Sequence, residues 1–481
     1  MTDKADMSGA HELRKTLGGW QYFAIAVGCM IGIGWITVLG AWLDRAGAVG
    51  AVAGFVCGGI VMAGVAACYA ELMSVMPHSG GDVVFAERVF GRATACLVGW
   101  CLVLVAVSVA SFEALSFVWV AESLMPALAG DPLYQVFGVA VTKQQLVIGC
   151  TVLVAMYLFN RVGVSASAHA QWALTSLKLV IILAFVCVGL AFGDCTALAH
   201  SSTTSNASLS GVLWIAATCA FWLGGFQVIS QAAEERRSST SLRTVALITV
   251  GSVALGLLFY VGVVLAAAAS APREVLVSAA LPAATAAERV FGSKLAAAAV
   301  LVAGLCGIVA TLNAMLISGS RLLLALARLG YVPPTFGMPD RHGVPTLGLT
   351  VITTLAACGV FLGKGLLLPV VNTASMSLIL CYALMCAAVL RLRTMNPGPR
   401  PFRLPGGKLT LWLLISAVGA MAAFILIEPA LHWRGVPVEW ILLSGWIAAG
   451  LVLWFLRRAS ITQVAQAAPG SASSAGVKHV P

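Results

Sequence analysis

Apolar residues run along this chain in long stretches separated by short polar joints, the pattern of helices packed in lipid rather than of a half-buried soluble fold. An α-helix needs roughly 20 apolar residues to cross about 30 Å of hydrocarbon. By that measure the pattern predicts twelve spans, over 20–43, 47–73, 94–124, 144–160, 171–192, 211–232, 243–268, 295–325, 346–363, 367–390, 410–428 and 437–456. The third and eighth are longer than the hydrocarbon is thick, which implies tilt or protrusion. Spans nine and ten are joined tightly through Lys364 and Gly365, the weakest division in the count. The loop 269–294 has room for a short helix around 281–291. The pattern shows no soluble domain.

Composition agrees. Residues are 60% hydrophobic and 10% charged, against roughly 25% charged in ordinary soluble domains, and the mean hydropathy is +0.98. So few charges cannot cover a water-soluble surface of this size. The 13 cysteines include no Cys-x-x-Cys pair. Residues such as Cys57, Cys101 and Cys306 read as small buried hydrophobes, not as metal ligands or a disulfide frame.

The net charge of +10 is explained by membrane orientation without a nucleic-acid partner. With the amino terminus inside, the predicted cytoplasmic segments and the inner ends of their flanking spans, where Arg243 and Arg321 sit, hold 20 lysines and arginines and the outer segments seven, with Lys178 inside a span. This asymmetry predicts an even number of spans and both termini in the cytoplasm. Residues 1–19 read as a cytoplasmic tail rather than a cleaved signal. Residues 460–481, Gly/Ser-rich and polar, read as a disordered tail.

Two spans are interrupted. The first carries Gly28, Gly32 and Gly34 within seven residues, in the run Gly28-Cys29-Met30-Ile31-Gly32-Ile33-Gly34-Trp35. The sixth carries Phe221-Trp222-Leu223-Gly224-Gly225-Phe226-Gln227. Glycines weaken a helix, and a break inside a membrane is tolerated where it lines a cavity or binds a ligand. The alternative for the first run is close helix packing through Gly28 and Gly32. Breaks in spans one and six fit corresponding positions of two five-helix repeats.

Ionisable residues inside spans are expensive and face the bundle interior or a wet cavity. Glu113 on the third span either binds a substrate ammonium or anchors a helix. Lys178 on the fifth either snorkels to the interface or occupies a cation-like site that couples proton movement. Asn313, Ser318 and Ser320 on the eighth span, and Asn372, Thr373, Ser375 and Ser377 on the tenth, read mostly as interhelical hydrogen-bonding residues. His169 reads as interfacial. Glu71 closes the second span on the cytoplasmic side.

With these segments in this order, the chain resembles the amino acid–polyamine–organocation transporter family. The resemblance is carried by Gly28–Trp35; by Tyr69-Ala70-Glu71-Leu72 with Pro77, Ser79-Gly80-Gly81 and Phe90-Gly91; by Gly224-Gly225-Phe226 followed by Ala232, Ala233, Glu234 and Glu235; and by Pro401-Phe402-Arg403-Leu404-Pro405-Gly406-Gly407. It implies an all-α polytopic membrane protein with a five-plus-five inverted repeat of the leucine-transporter type. The first repeat would occupy 20–192 and the second 211–390, with discontinuous helices one and six and two further helices over 410–456.

The resemblance implies substrate contacts at Ile31, Gly32, Ile33 and Gly34 and at Phe221, Trp222, Leu223 and Gly224, and it aligns Lys178 with a lysine that stands in a cation site in proton-coupled members. Trp35, Phe226 and Gln227 would line or gate the pocket. Trp35 and Gln227 depart from the usual pattern, and Gln227 replaces an acid found in many relatives. That loss argues against a strongly cationic substrate, whereas Glu113 argues for an amine. A zwitterionic amino acid reconciles the two.

The expected function is a secondary transporter that imports or exchanges an amino acid by alternating access, with proton coupling as one option. An amine or polyamine permease on the same fold, and a non-transporting membrane sensor or structural partner, are the alternatives. The sequence shows no Walker motif, cofactor motif or His/Asp metal cluster. No enzyme activity, cofactor, metal or nucleic-acid partner is expected. The expected location is the plasma membrane, which in a bacterium is the inner membrane.

Overall fold

The computed structural model describes residues 17–77, 80–128, 130–161, 164–194, 208–231, 233, 236–340, 343–396, 398–432 and 435–467, with side chains apart from 164–170, 432 and 459–467. Ser79, Ala232, Glu234, Glu235, the His169 side chain and most of both predicted tails lie outside these residues.

The first apolar run forms α1 (Gly19–Met30), three non-helical residues, and α2 (Gly34–Thr37). It continues into α3 (Leu39–Val75), which is broken at Gly47, whose φ of 64° only glycine adopts freely. The chain proceeds through a short α4 (Asp82–Phe90) to the long α5 (Arg92–Leu124). A small antiparallel hairpin follows, β1 (Pro132–Val136) and β2 (Val139–Thr142), turning at Phe137 and Gly138, both at positive φ. The hairpin was not foreseen. Tyr134 anchors it by donating to the Phe361 carbonyl at 2.6 Å.

Then come α6 (Lys143–Arg161), α7 (Val164–Phe192), α8 (Leu209–Trp222), the five-residue α9 (Gln227–Gln231) and α10 (Leu242–Ser270). The loop after α10 holds two short helices, α11 (Arg273–Ser278) and α12 (Pro282–Phe291), the second matching the expected one. The chain ends with α13 (Lys294–Arg328), α14 (Thr346–Val360), α15 (Leu367–Met395), α16 (Gly407–His432) and α17 (Val438–Ala467).

Ten described helical segments are long and apolar enough to cross a membrane, against the twelve expected. The two that fall short are α6 and α14. Gln144, Gln145, Asn160 and Arg161 at its ends dilute the apolar character of α6. The 15 residues of α14 rise only about 22 Å. The doubtful pair over 346–390 is two separate helices, joined by a single 3-10 turn at Lys364–Leu366.

The buried centre is built where α5 packs against α13, α14 and α15, while α10 packs on α3 and α7, and α3 on α8. Leu183, Leu258, Leu409 and Phe455 are exposed on the outside, as expected of a surface that faces lipid. Cys101 and Cys306 are buried, as read from sequence, but Cys57 is exposed on α3; its apolar surroundings are outward-facing and not core. Helix α17 docks through Trp100 and Trp446, which stack at 4.5 Å and each donate an indole N–H to the other's backbone carbonyl at 2.9 Å.

Candidate functional site

Both interrupted helices unwind, and the breaks touch. Gly225, at φ 115°, lies so close to Cys29 and Met30 that a β-carbon there would sit 3.0 Å from Cys29 Sγ. The gap between α1 and α2 leaves helix-end carbonyls that must be paired inside the protein. Side chains from three other helices supply the donors. Lys178 on α7 is fully buried and donates its ammonium to the Gly28 carbonyl at 3.1 Å and to the Ile31 carbonyl. Thr311 on α13 donates to Gly28 at 3.2 Å or to Cys29 at 3.5 Å. Tyr260 on α10 donates to Met30 at 3.2 Å. A cation at a helix carboxyl end is also favoured by the helix dipole. Lys178 therefore faces inward and does not snorkel.

A second layer fixes that arrangement. Asn313 donates to Gln171 Oε1 at 3.1 Å, and Gln171 donates to the Ala310 carbonyl at 3.1 Å. Thr175 donates to the Ala24 carbonyl at 3.4 Å. Gln171 and Thr175 pack so closely on Gly28 that a β-carbon there would clash with both.

Glu113 on α5 reaches the same break. Its carboxylate sits beside the Ile33 backbone N–H, and Oε1 occupies the space a side chain at Gly32 would need. Its Oε2 is buried without a hydrogen-bond partner. Gly34 is similarly required, because the Trp222 ring fills the position of its missing side chain.

The sixth-span break is held differently. Gln227 Oε1 accepts the Gly225 N–H at 2.8 Å and the Tyr382 hydroxyl at 3.3 Å. Between the breaks lies a cavity of about 30 Å³, room for one or two waters. An amino acid would have to displace its walls. Of the residues singled out in the sequence, Gly32, Gly34, Glu113, Phe221, Trp222, Gly224 and Gln227 line it. Ile31 contributes its carbonyl to Lys178. Ile33 points to Gly304 on α13, and Leu223 points to Gly256 on α10.

Trp35 and Phe226 lie away from the cavity lining. Trp35 packs edge-on against Phe259 at 5.8 Å. Phe226 stacks on Tyr382 at 5.6 Å and meets Tyr69 edge-on at 5.3 Å, on the side of α4. Sequence reasoning missed Thr311, Tyr260, Gln171, Val105, Val109, Met315 and Leu378. Thr311, two residues from Asn313, was the most accessible of these; the apolar four carry no local signal.

Beside the Phe226 cluster lies a further buried acid. Asp82, the first residue of α4, is fully buried and accepts from the Tyr69 hydroxyl and from Gln231 Nε2 at 3.5 Å. Gln231 in turn accepts from Ser318. Burial pushes the Asp82 carboxyl up to about 6, against the opposing pull of hydrogen bonds from Tyr69, Gln231 and Ser230. The folded protein thus holds this proton more tightly than the unfolded chain. Stability falls as pH rises from about 4 to about 6, by about 3 kcal/mol. Asp82→Asn is expected to remove that fall. Thermal unfolding in detergent at several pH values across this range checks it.

The sequence profile of the amino acid permease family matches residues 17–456. The chain is similar to the methylthioribose transporter of Bacillus subtilis (strain 168), 26% identical over 93% of this chain and 94% of the relative. It is similar to a branched-chain amino acid permease of the same organism, 23% identical over 94% and 95% of the two chains. It is also similar to the L-asparagine permease of Escherichia coli (strain K12), 25% identical over 96% and 92%.

Proposed function

Because the chain belongs to the amino acid permease family, we propose that it is a secondary transporter that carries an amino acid across the plasma membrane by alternating access. The observation that carries this reading is the pair of touching helix breaks, with a small cavity between them and Lys178 capping the carbonyls of the first. Broken helices at the middle of a bundle are what a transporter needs to bind and release a solute. The solute carboxylate would approach the backbone at Gly32–Gly34, and its ammonium would approach Glu113. Phe221 and Trp222, stacked edge-on at 4.9 Å, would move to admit it.

The finer architecture belongs to the same proposal. With α6 and α14 counted as crossings, twelve spans result. The first repeat runs over 20–192 and the second over 211–390, with α16 and α17 added and both termini in the cytoplasm. The equivalent placement of the two breaks supports the repeats, and the excess of basic residues on one side supports the orientation. Lys178 would occupy the place of a coupling cation, and its proton would link transport to the pH gradient.

Purified protein in liposomes with an imposed pH gradient, screened with labelled amino acids and amines, tests the reading. Accumulation of at least one amino acid is expected. Uptake of amines with no amino acid taken up would replace it by an amine permease, which the free oxygen of Glu113 would also serve.

A further inference from the structure

The polar groups around the cavity are largely spoken for. Thr311 and Tyr260 hold the carbonyls of the first break. Gln227 Oε1 holds the second break and Tyr382. The Trp222 indole N–H donates to Thr218 at 3.2 Å. Glu113 Oε2, by contrast, is a buried acceptor with no partner. It asks for one donor on the solute. Beside it the wall is formed by Val105, Val109 and Phe112 on α5, Met315 on α13 and Leu378 on α15.

Resting on the transport reading above, we propose that the solute is a neutral amino acid with an apolar side chain, its ammonium on Glu113 and its side chain against Val105, Val109, Phe112, Met315 and Leu378. Three competing classes fit poorly. A lysine or arginine side chain would place a second cation against valine, methionine and leucine, and Glu113 is the single carboxylate among the described lining residues. A glutamate or aspartate side chain would bury a second carboxylate against the same apolar wall, whose described residues include no cation to pair it. An asparagine or glutamine side chain would bury an amide against Val105, Val109, Met315 and Leu378, which offer it no partner, and that costs affinity on the order of ten-fold or more.

The same geometry makes Val105 and Leu378 specificity-determining residues. They enter from different helices and touch neither break through a hydrogen bond, so their bulk limits side-chain size without holding the backbone. Removing methylene groups from such a wall changes discrimination between apolar substrates by on the order of ten-fold.

The test is competition for labelled leucine uptake into proteoliposomes. Excess isoleucine, valine or methionine is expected to cut the initial rate on the order of ten-fold. Arginine, glutamate and asparagine are expected to leave it nearly unchanged. Inhibition by arginine, glutamate or asparagine as strong as by isoleucine would overturn the proposal while leaving amino acid transport intact. Failure of every labelled amino acid to enter would sink the transport reading itself, and this one with it. In a second measurement, Val105→Ala and Leu378→Ala should each raise the ratio of phenylalanine to alanine uptake several-fold. An unchanged ratio in both folded variants would remove the side-chain subsite from this wall.

Discussion

Lys178→Ala is expected to reduce uptake driven by a pH gradient on the order of 100-fold. The ammonium of Lys178 bridges the Gly28 and Ile31 carbonyls across the unwound segment. Thr311 also reaches Gly28, whereas Ile31 would lose its donor. Each buried carbonyl left unpaired costs roughly 1–3 kcal/mol, and the break would lose the geometry that holds Gly32 beside Glu113. A loss of this size alone would fit a purely structural lysine.

A separate measurement distinguishes coupling from structure: exchange of labelled for unlabelled substrate with no pH gradient. Exchange needs the binding site but no net proton movement. If Lys178 carries the coupling proton, Lys178→Met should retain measurable exchange while losing accumulation against a gradient. If Lys178 is only a cap, both activities should fall together. Unchanged dependence of uptake on the pH gradient in either variant would end the coupling role. Arginine is a poor substitute, because its planar fork is larger than an ammonium and distributes its donors differently.

The division between what was readable and what was not follows from how the information is stored. Helix positions are local. Runs of apolar residues placed α5 and α13 within a few residues, and glycine clusters marked both breaks. The hairpin at 132–142 was missed because its nine strand residues are too few to stand out beside spans of 20. Charge inside an apolar run singled out Glu113 and Lys178, since nothing local compensates it. Their relation is not local: α5 and α7 bring them to one unwound segment, and only the packing reveals that.

The cavity wall was invisible for the opposite reason. Val105, Val109, Met315 and Leu378 look like every other apolar residue in their helices. Phe226 was assigned to the pocket by its place beside the double glycine. In the folded protein its ring packs instead against Tyr69 and Tyr382, outside the cavity lining.

Glu71 shows the same non-locality with the largest consequence for stability. Read along the chain it merely closes a span, and Arg393 and Arg400 merely add to the positive side. In the folded protein Glu71 accepts Arg393 Nε at 2.9 Å and Nη2 at 2.6 Å, an Arg400 N–H, and the Leu404 backbone N–H at 2.9 Å. Arg393 gives two further N–H groups to the carbonyls of Leu404 and Gly407. One carboxylate thereby ties the end of α3 to α15 and to the loop leading into α16.

Glu71→Ala is expected to destabilise the protein by about 3–5 kcal/mol, because it strands the two buried guanidiniums of Arg393 and Arg400. The side chain of Arg393 is only 5% exposed, so water cannot replace the lost carboxylate. The double change Glu71→Met with Arg393→Met should recover part of the loss, since it removes the Arg393 charge together with the carboxylate and leaves only Arg400 unpaired. As a control, Glu87→Gln breaks a half-open pair with Arg92 and should cost under about 1 kcal/mol. Thermal unfolding of the four proteins in one detergent orders them. If Glu71→Ala unfolds where the unmodified chain does, the pair contributes nothing net, and the loop after α15 must be held by its own backbone contacts. If the double change is no better than the single, the carboxylate acts mainly through Leu404 and Arg400, and Arg393 is a follower of the loop rather than its anchor.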